Sequence, residues 1–168
     1  MTHRFRSSEL WILNRAALAL ICLLVAGAAA NAQTTRKVPA GAADDDPVFM
    51  EYRGIQIGWL ADEVRKKLGA PANKGDEQDL FVFNDKEYCQ VLYDKSKKVT
   101  AISVDFMNGA SGIITPQQVF GSDIEAKSDG SKYKLVRYPK VGYWVAYSRS
   151  PGETPTVTVT IQKLQMAP

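Results

Sequence analysis

Two hydrophobic periodicities alternate along this chain, and they follow one another in the same order twice. From about Gly54 to Phe106 the first copy opens with Leu60, Val64 and Leu68 at four-residue spacing, which predicts one apolar stripe on a short helix. Asp62 precedes Lys66 and Glu63 precedes Lys67 at helical pairing distance, acid first, the better order for the wet side. Gly69 suits the position just past a helix end, and Pro71 prevents continuation. Alternation then shortens to a period of two, predicting strands near 79–84, 87–93 and 98–106 with turns at Asn84-Asp85 and Lys95-Ser96-Lys97. In the last of these, Ile102, Val104 and Phe106 point one way and Ala101, Ser103 and Asp105 the other, giving one buried and one wetter face.

The second copy runs from about Ile114 to Leu164. Thr115 reads as an N-cap, with Pro116 at the first helical position and Gln118 completing a capping box, and the short helix ends near Gly121. Three strands follow near 132–138, 142–148 and 156–163, separated by Pro139-Lys140 and Ser150-Pro151-Gly152. Tyr88 and Tyr93 in one middle strand answer Tyr143 and Tyr147 in the other, and Leu80-x-Val82 answers Tyr133-x-Leu135. The expected fold is α+β: a layered antiparallel sheet with short helices on one face, built from two tandem helix-plus-three-strand units at about 54–106 and 114–164. Neither unit alone buries much apolar surface, so the two are expected to share one domain spanning 48–165.

The first 32 residues read as a signal peptide. Arg4, Arg6 and Arg15 form a basic lead, Ala16 to Ala30 is an apolar run shorter than a membrane span, and Ala30-Asn31-Ala32 is a small-x-small cleavage site. Cys22 sits inside the apolar run without the small residues that precede a lipidated cysteine, so lipidation is not expected. Residues 33–47, rich in Thr, Ala, Pro and Gly, read as a disordered linker. Its Asp44, Asp45 and Asp46 lack the alternating ligands and turn glycine of a calcium loop, and no metal or cofactor is expected. These assignments place the protein in the periplasm or outside the cell.

Cleavage changes the charge balance. The chain has 21 basic and 18 acidic residues, and the leader removes three arginines and one glutamate, leaving 18 and 17. A near-neutral protein gives no electrostatic case for nucleic acid. The sole histidine, His3, leaves with the leader, and Cys89 becomes the single cysteine, read as a buried small hydrophobe. Without histidine, Ser-His and Cys-His nucleophile pairs and most zinc sites are excluded, and no Gly-x-Ser-x-Gly or Walker-type loop is present. Asp76, Glu77 and Asp79 cluster beside Lys74 and are expected to be a solvated turn. No catalytic residues are assigned, and the chain is expected not to be an enzyme.

One resemblance bears on the fold. Ile55-Gln56-Ile57-Gly58, a helix carrying Glu63-Val64, and Leu68-Gly69-Ala70-Pro71 together resemble the opening of the SmpA/OmlA family, the small outer-membrane assembly lipoproteins of the BamE type. Val91-x-Tyr93-Asp94, a Lys-rich turn and Val99-x-x-Ile102 resemble the closing hairpin of that domain, and the tandem layout resembles the beta-lactamase-inhibitor-protein architecture. The resemblance covers about a third of the chain and implies a layered α+β domain that binds protein and catalyses nothing. The chain departs from the family in having no lipidated N-terminal cysteine and in lacking the Leu-Gly-x-Pro helix ending in its second copy.

Binding features gather in the second copy. Residues 130–165 carry Lys132, Lys134, Arg137, Lys140, Arg149 and Lys163 against Glu153 alone, whereas Glu51 to Phe106 carries nine basic and ten acidic residues. Tyr138, Tyr143, Trp144 and Tyr147 share that positive region with Arg137, and these five are the candidate protein-binding residues. Tyr143, Val145 and Tyr147 lie on one strand face and Trp144 with Ala146 on the other, so one set is expected in the core and one outside. The expected role is a non-catalytic binding module for an envelope protein, assembly-factor or inhibitor-like, with at most peripheral membrane contact. The alternative is a periplasmic carrier of a small apolar or anionic ligand held between helices and sheet.

Overall fold

The computed structural model describes residues 46–165 together with the backbone of Gly41–Ala42. The expected signal peptide, Cys22, Asp44, Asp45 and most of the expected linker lie outside the described residues. The elements are β1 (Gly41–Ala42), β2 (Glu51–Tyr52), β3 (Ile55–Gln56), α1 (Ala61–Leu68), β4 (Asn73–Lys74), β5 (Gln78–Asn84), β6 (Glu87–Tyr93), β7 (Val99–Phe106), α2 (Pro116–Phe120), β8 (Lys132–Tyr138), β9 (Tyr143–Arg149) and β10 (Val157–Lys163). One sheet orders its strands β1-β8-β9-β10-β7-β6-β5-β4, and β2 and β3 form a separate hairpin. All pairings are antiparallel except β1 with β8, where Gly41 and Ala42 lie beside Val136 and Arg137. The described residues are thus α+β, a mostly antiparallel sheet with two short helices.

Strands β5–β7 form one meander after α1, and β8–β10 form another after α2. The two meet through their last strands, with Phe106, Val104 and Ile102 in register with Val157, Val159 and Ile161. All six are buried, so the centre of the core is the seam between the meanders. Alternation along the strands sends Phe81, Cys89, Val91, Val104, Val145 and Val159 to the same side, where Val64 of α1 and Val119 of α2 cover them. Tyr52 of the β2–β3 hairpin packs there too, edge-on to Phe106 with ring centroids 6.5 Å apart. That hairpin turns through Arg53 and Gly54, at φ 49° and 79°, the left-handed pair that a two-residue type I′ turn requires.

The first helix differs from expectation in its stripe and its ion pairs. Leu60 is still extended, bridged antiparallel to Lys98 just before β7, so the helix begins one residue later. Ala61 and Val64 are its buried residues, while Leu60 is exposed. The Glu63 carboxylate accepts the Leu60 N–H at 2.8 Å and caps the helix, and Asp62 pairs with Arg65 at 3.3 Å. The expected Lys66 and Lys67 partners are thereby replaced: the acids lie in the first turn, where free N–H groups and the helix dipole attract them. The second helix caps as expected: Thr115 N–H donates to Gln118 Oε1 at 2.9 Å, Gln118 N–H donates to Thr115 Oγ1 at 3.4 Å, and Gly121 closes the helix at φ 70°.

Candidate functional site

Among the described residues both helices and the β2–β3 hairpin lie on one side of the sheet, and the other side is an open face built as a grid. Reading across β5, β6, β7, β10, β9 and β8, one row is Gln78, Leu92, Ala101, Gln162, Trp144 and Arg137. The next is Leu80, Gln90, Ser103, Thr160, Ala146 and Leu135, and the third is Val82, Tyr88, Asp105, Thr158, Ser148 and Tyr133. Apart from Ala101 and Ala146, these residues are half-buried or exposed. Val82 and Tyr133, at opposite edges, are large apolar-bodied side chains left in water. Polar side chains at the middle satisfy one another: Ser103 and Thr160 hydroxyls share a hydrogen bond at 3.1 Å, and Thr158 Oγ1 donates to Asp105 Oδ1 at 2.6 Å.

The five candidate binding residues divide between the two faces. Tyr138, Tyr143 and Tyr147 are 6%, 8% and 3% exposed and belong to the core, so their assignment as interface anchors is corrected. The reason is parity: they share a strand face with Val136 and Val145, and both helices lie over that face. Trp144 and Arg137 stand on the open face as direct register partners on adjacent strands. Neither side chain has a hydrogen-bond or ion-pair partner among the described residues. Leu92, Ala101 and Gln162 complete their row and were not singled out from sequence. Strand parity predicts that Gln162 shares a face with Thr158 and Thr160, but only the cross-strand register shows that it stands beside Trp144.

Two hollows open on this row, on either side of the chain segment after β10. One of about 580 Å³ is lined by Leu92, Thr100, Ala101, Gln162, Lys163, Leu164 and Gln165. Another of about 290 Å³ is lined by Arg137, Trp144, Gln162 and Lys163 with Leu164 and Gln165. The Leu164 N–H donates to the Gly142 carbonyl at 2.7 Å, which fixes the segment that separates them.

The buried charges lie on the helix side and do a different job. Asp79, expected in a solvated turn, has no exposed surface: it is the second residue of β5 and points into the core. Arg65 of α1 grips it with Nε to Oδ2 at 2.8 Å and Nη2 to Oδ1 at 3.1 Å, Tyr93 O–H donates at 2.8 Å, and Gly75 N–H at 3.2 Å. Asp76, by contrast, is exposed and pairs with Lys97 at 2.7 Å. A second carboxylate, Glu87 of β6, accepts from Tyr52 O–H, from Arg53 Nη2 at 2.6 Å and from Asn84 Nδ2 at 3.3 Å. Burial acts to raise both carboxyls, but these donors outweigh it and hold Asp79 and Glu87 below the usual carboxylate range. Burial, followed by the carboxylate each one faces, pushes the Tyr93 and Tyr52 hydroxyls up, so both remain donors at neutral pH. Each carboxylate is thus engaged with donors that keep it ionised.

The sign of the pH dependence follows. A carboxyl depressed on folding contributes stability that is complete above its unfolded value, here 3.8 for Asp79 and 4.5 for Glu87, and is lost as pH falls through the folded value. Melting temperature is expected to hold from neutral pH to about pH 5 and to fall steeply below about pH 4. Asp79→Asn should start lower and fall less over that interval. A melting temperature independent of pH down to about pH 2 would count against the two buried pairs.

Cys89 is buried at the centre of β6, and burial pushes its thiol up to about 12, so it is protonated and unreactive at neutral pH. Among the described residues no cluster of three or more His, Cys, Asp or Glu is placed to hold a metal, and no helix is long and apolar enough to cross a membrane. Comparison with known protein families, with characterised proteins and with solved structures finds no match to this chain.

Proposed function

We propose that the chain is an exported, non-catalytic protein-binding module of the bacterial envelope, an assembly factor or inhibitor-like scaffold that captures its partner on the open sheet face. The observation that carries this reading is the unpartnered Trp144–Arg137 pair on a half-exposed face of mixed apolar and polar residues. Trp and Arg are the residue types that concentrate binding energy at interfaces, and a rigid sheet presents them without a cost in ordering. The basic lead, apolar run and Ala30-Asn31-Ala32 site support export and placement in the periplasm or outside the cell. We also read the chain as an internal duplication in the manner of SmpA/OmlA-like and beta-lactamase-inhibitor-like tandem units. Each half has a helix followed by a three-strand meander, and the two last strands pair antiparallel, which supports that reading.

The test is face-specific photocrosslinking in the native host. A benzoylphenylalanine at Tyr133, on the open face, is expected to cross-link one envelope protein, and the same group at Lys66, on α1, is expected not to. Equal products from the two positions, or none from Tyr133, would remove the reading. A small molecule retained in the native mass spectrum, with no cross-link from Tyr133, would favour the carrier, for which the 580 Å³ hollow beside Leu92 and Ala101 offers an apolar floor.

A further inference from the structure

Five adjacent strands each contribute one residue to a straight line across the open face, Leu92, Ala101, Gln162, Trp144 and Arg137. Four strand spacings make this line about 20 Å long, the reach of roughly six residues of extended chain. Its two ends differ in chemistry. At the β6–β7 end the 580 Å³ hollow has Leu92, Ala101 and Leu164 in its lining. At the β8–β9 end the 290 Å³ hollow gathers donors: the Arg137 guanidinium, the Trp144 indole N–H and the Gln162 amide. The row holds no carboxylate, and neither Arg137 nor Lys163 is paired with one among the described residues. An incoming anion therefore meets the Arg137 guanidinium without having to break an existing ion pair, and the guanidinium fork matches a carboxylate in two places at once. Among the grid residues Arg137 and Asp105 are the charged ones and they lie two rows apart, so the attraction for an anion is local to Arg137.

We propose that this line is a docking groove for an extended acidic segment of the partner protein. A carboxylate of the segment sits at Arg137 and Trp144, and an apolar side chain roughly four residues away fills the hollow of Leu92, Ala101 and Leu164. The inference rests on the reading of the open face as the partner surface and adds the chemistry of what lies on it.

The experiment selects a random heptapeptide library displayed on phage against the purified protein expressed from the full chain. Enrichment of Asp or Glu three to five positions from Leu, Ile, Val or Phe is the expected result. The consensus peptide is then synthesised as the acid and as its uncharged amide counterpart, and binding is followed by fluorescence polarisation. Arg137→Gln is expected to weaken the acid peptide about tenfold or more and to leave the amide peptide unchanged. Leu92→Gln should weaken both alike, and Trp144→Phe, which keeps the ring, guards against a folding artefact. Enriched peptides without an acid, or an Arg137→Gln variant that binds the acid peptide as the parent does, would overturn the proposal. So would a dimer of the chain in sedimentation that Arg137→Gln dissolves, because a second copy would then be the occupant. If Tyr133 still cross-links one envelope protein while the peptides show no acid dependence, the groove chemistry fails and the binding-module reading stands; if the cross-link is also missing, both fail.

Discussion

Replacing Arg65 with methionine is expected to lower folding stability by about 3–5 kcal/mol, a drop in melting temperature of about 10 °C or more. The loss comes from Asp79, which has no exposed surface and would keep only the Tyr93 hydroxyl and the Gly75 N–H as donors. Arg65 itself is only 21% exposed, so water does not replace it freely. The pH dependence should weaken as well. Without its cation the Asp79 carboxyl is depressed less on folding, so the variant loses less stability on acidification than the parent, and what remains comes chiefly from Glu87. Adding Asp79→Leu to Arg65→Met should recover most of the loss, since an apolar pair of similar volume leaves no charge unpaired. Urea titration of the two single variants and the double variant measures all three terms. A loss below about 1 kcal/mol for Arg65→Met, the range of exposed ion pairs, would mean that the pair is not sealed from solvent.

Ile161→Ala is the second large effect expected, about 3 kcal/mol within the usual range of 2–5 for a fully buried isoleucine. Ile161 lies opposite Ile102 across the seam, so the cavity opens where the two meanders meet. Both halves should therefore weaken together. Trp59 and Trp144 report on them separately in versions of the protein without residues 1–32 that keep only one of the two, and their denaturation curves should coincide in the parent and shift together in the variant. Curves that separate would show two independently stable halves and would remove the shared core. A loss under about 1 kcal/mol would show that the site collapses around the smaller side chain.

Strand alternation carried most of the fold, because a period of two survives in a single sequence without knowledge of the partner strand. Val157, Val159 and Ile161 could be assigned to one face from their spacing alone, and that face is the buried one. The Thr115–Gln118 capping box was legible for the same reason, since all its partners lie within one turn. Asp79 was not legible. Its sequence neighbours Asp76 and Glu77 are solvated, and its burial depends on Arg65 from the preceding helix and Tyr93 from the next strand. The first helix was displaced by a residue because Leu60 answers to the backbone of Lys98, far along the chain. At the candidate site, sequence separated Trp144 from Tyr143 and Tyr147 but did not say which side the helices cover. Leu92, Ala101 and Gln162 became part of the site only through pairing register, which a strand's own residues do not encode.

The position of β10 has a consequence for how the chain reaches its final form. It follows the other described strands in sequence, yet it lies between β9 and β7 near the middle of the sheet. Everything synthesised earlier waits for it: β7 lacks one neighbour and β9 another until Val157–Lys163 emerges. Until that strand docks, the two meanders share no seam, so the sheet closes last at its centre and not at a margin. Deleting Val157–Lys163 would remove the central stave of the sheet, whereas the same number of residues taken from an edge strand would cost far less.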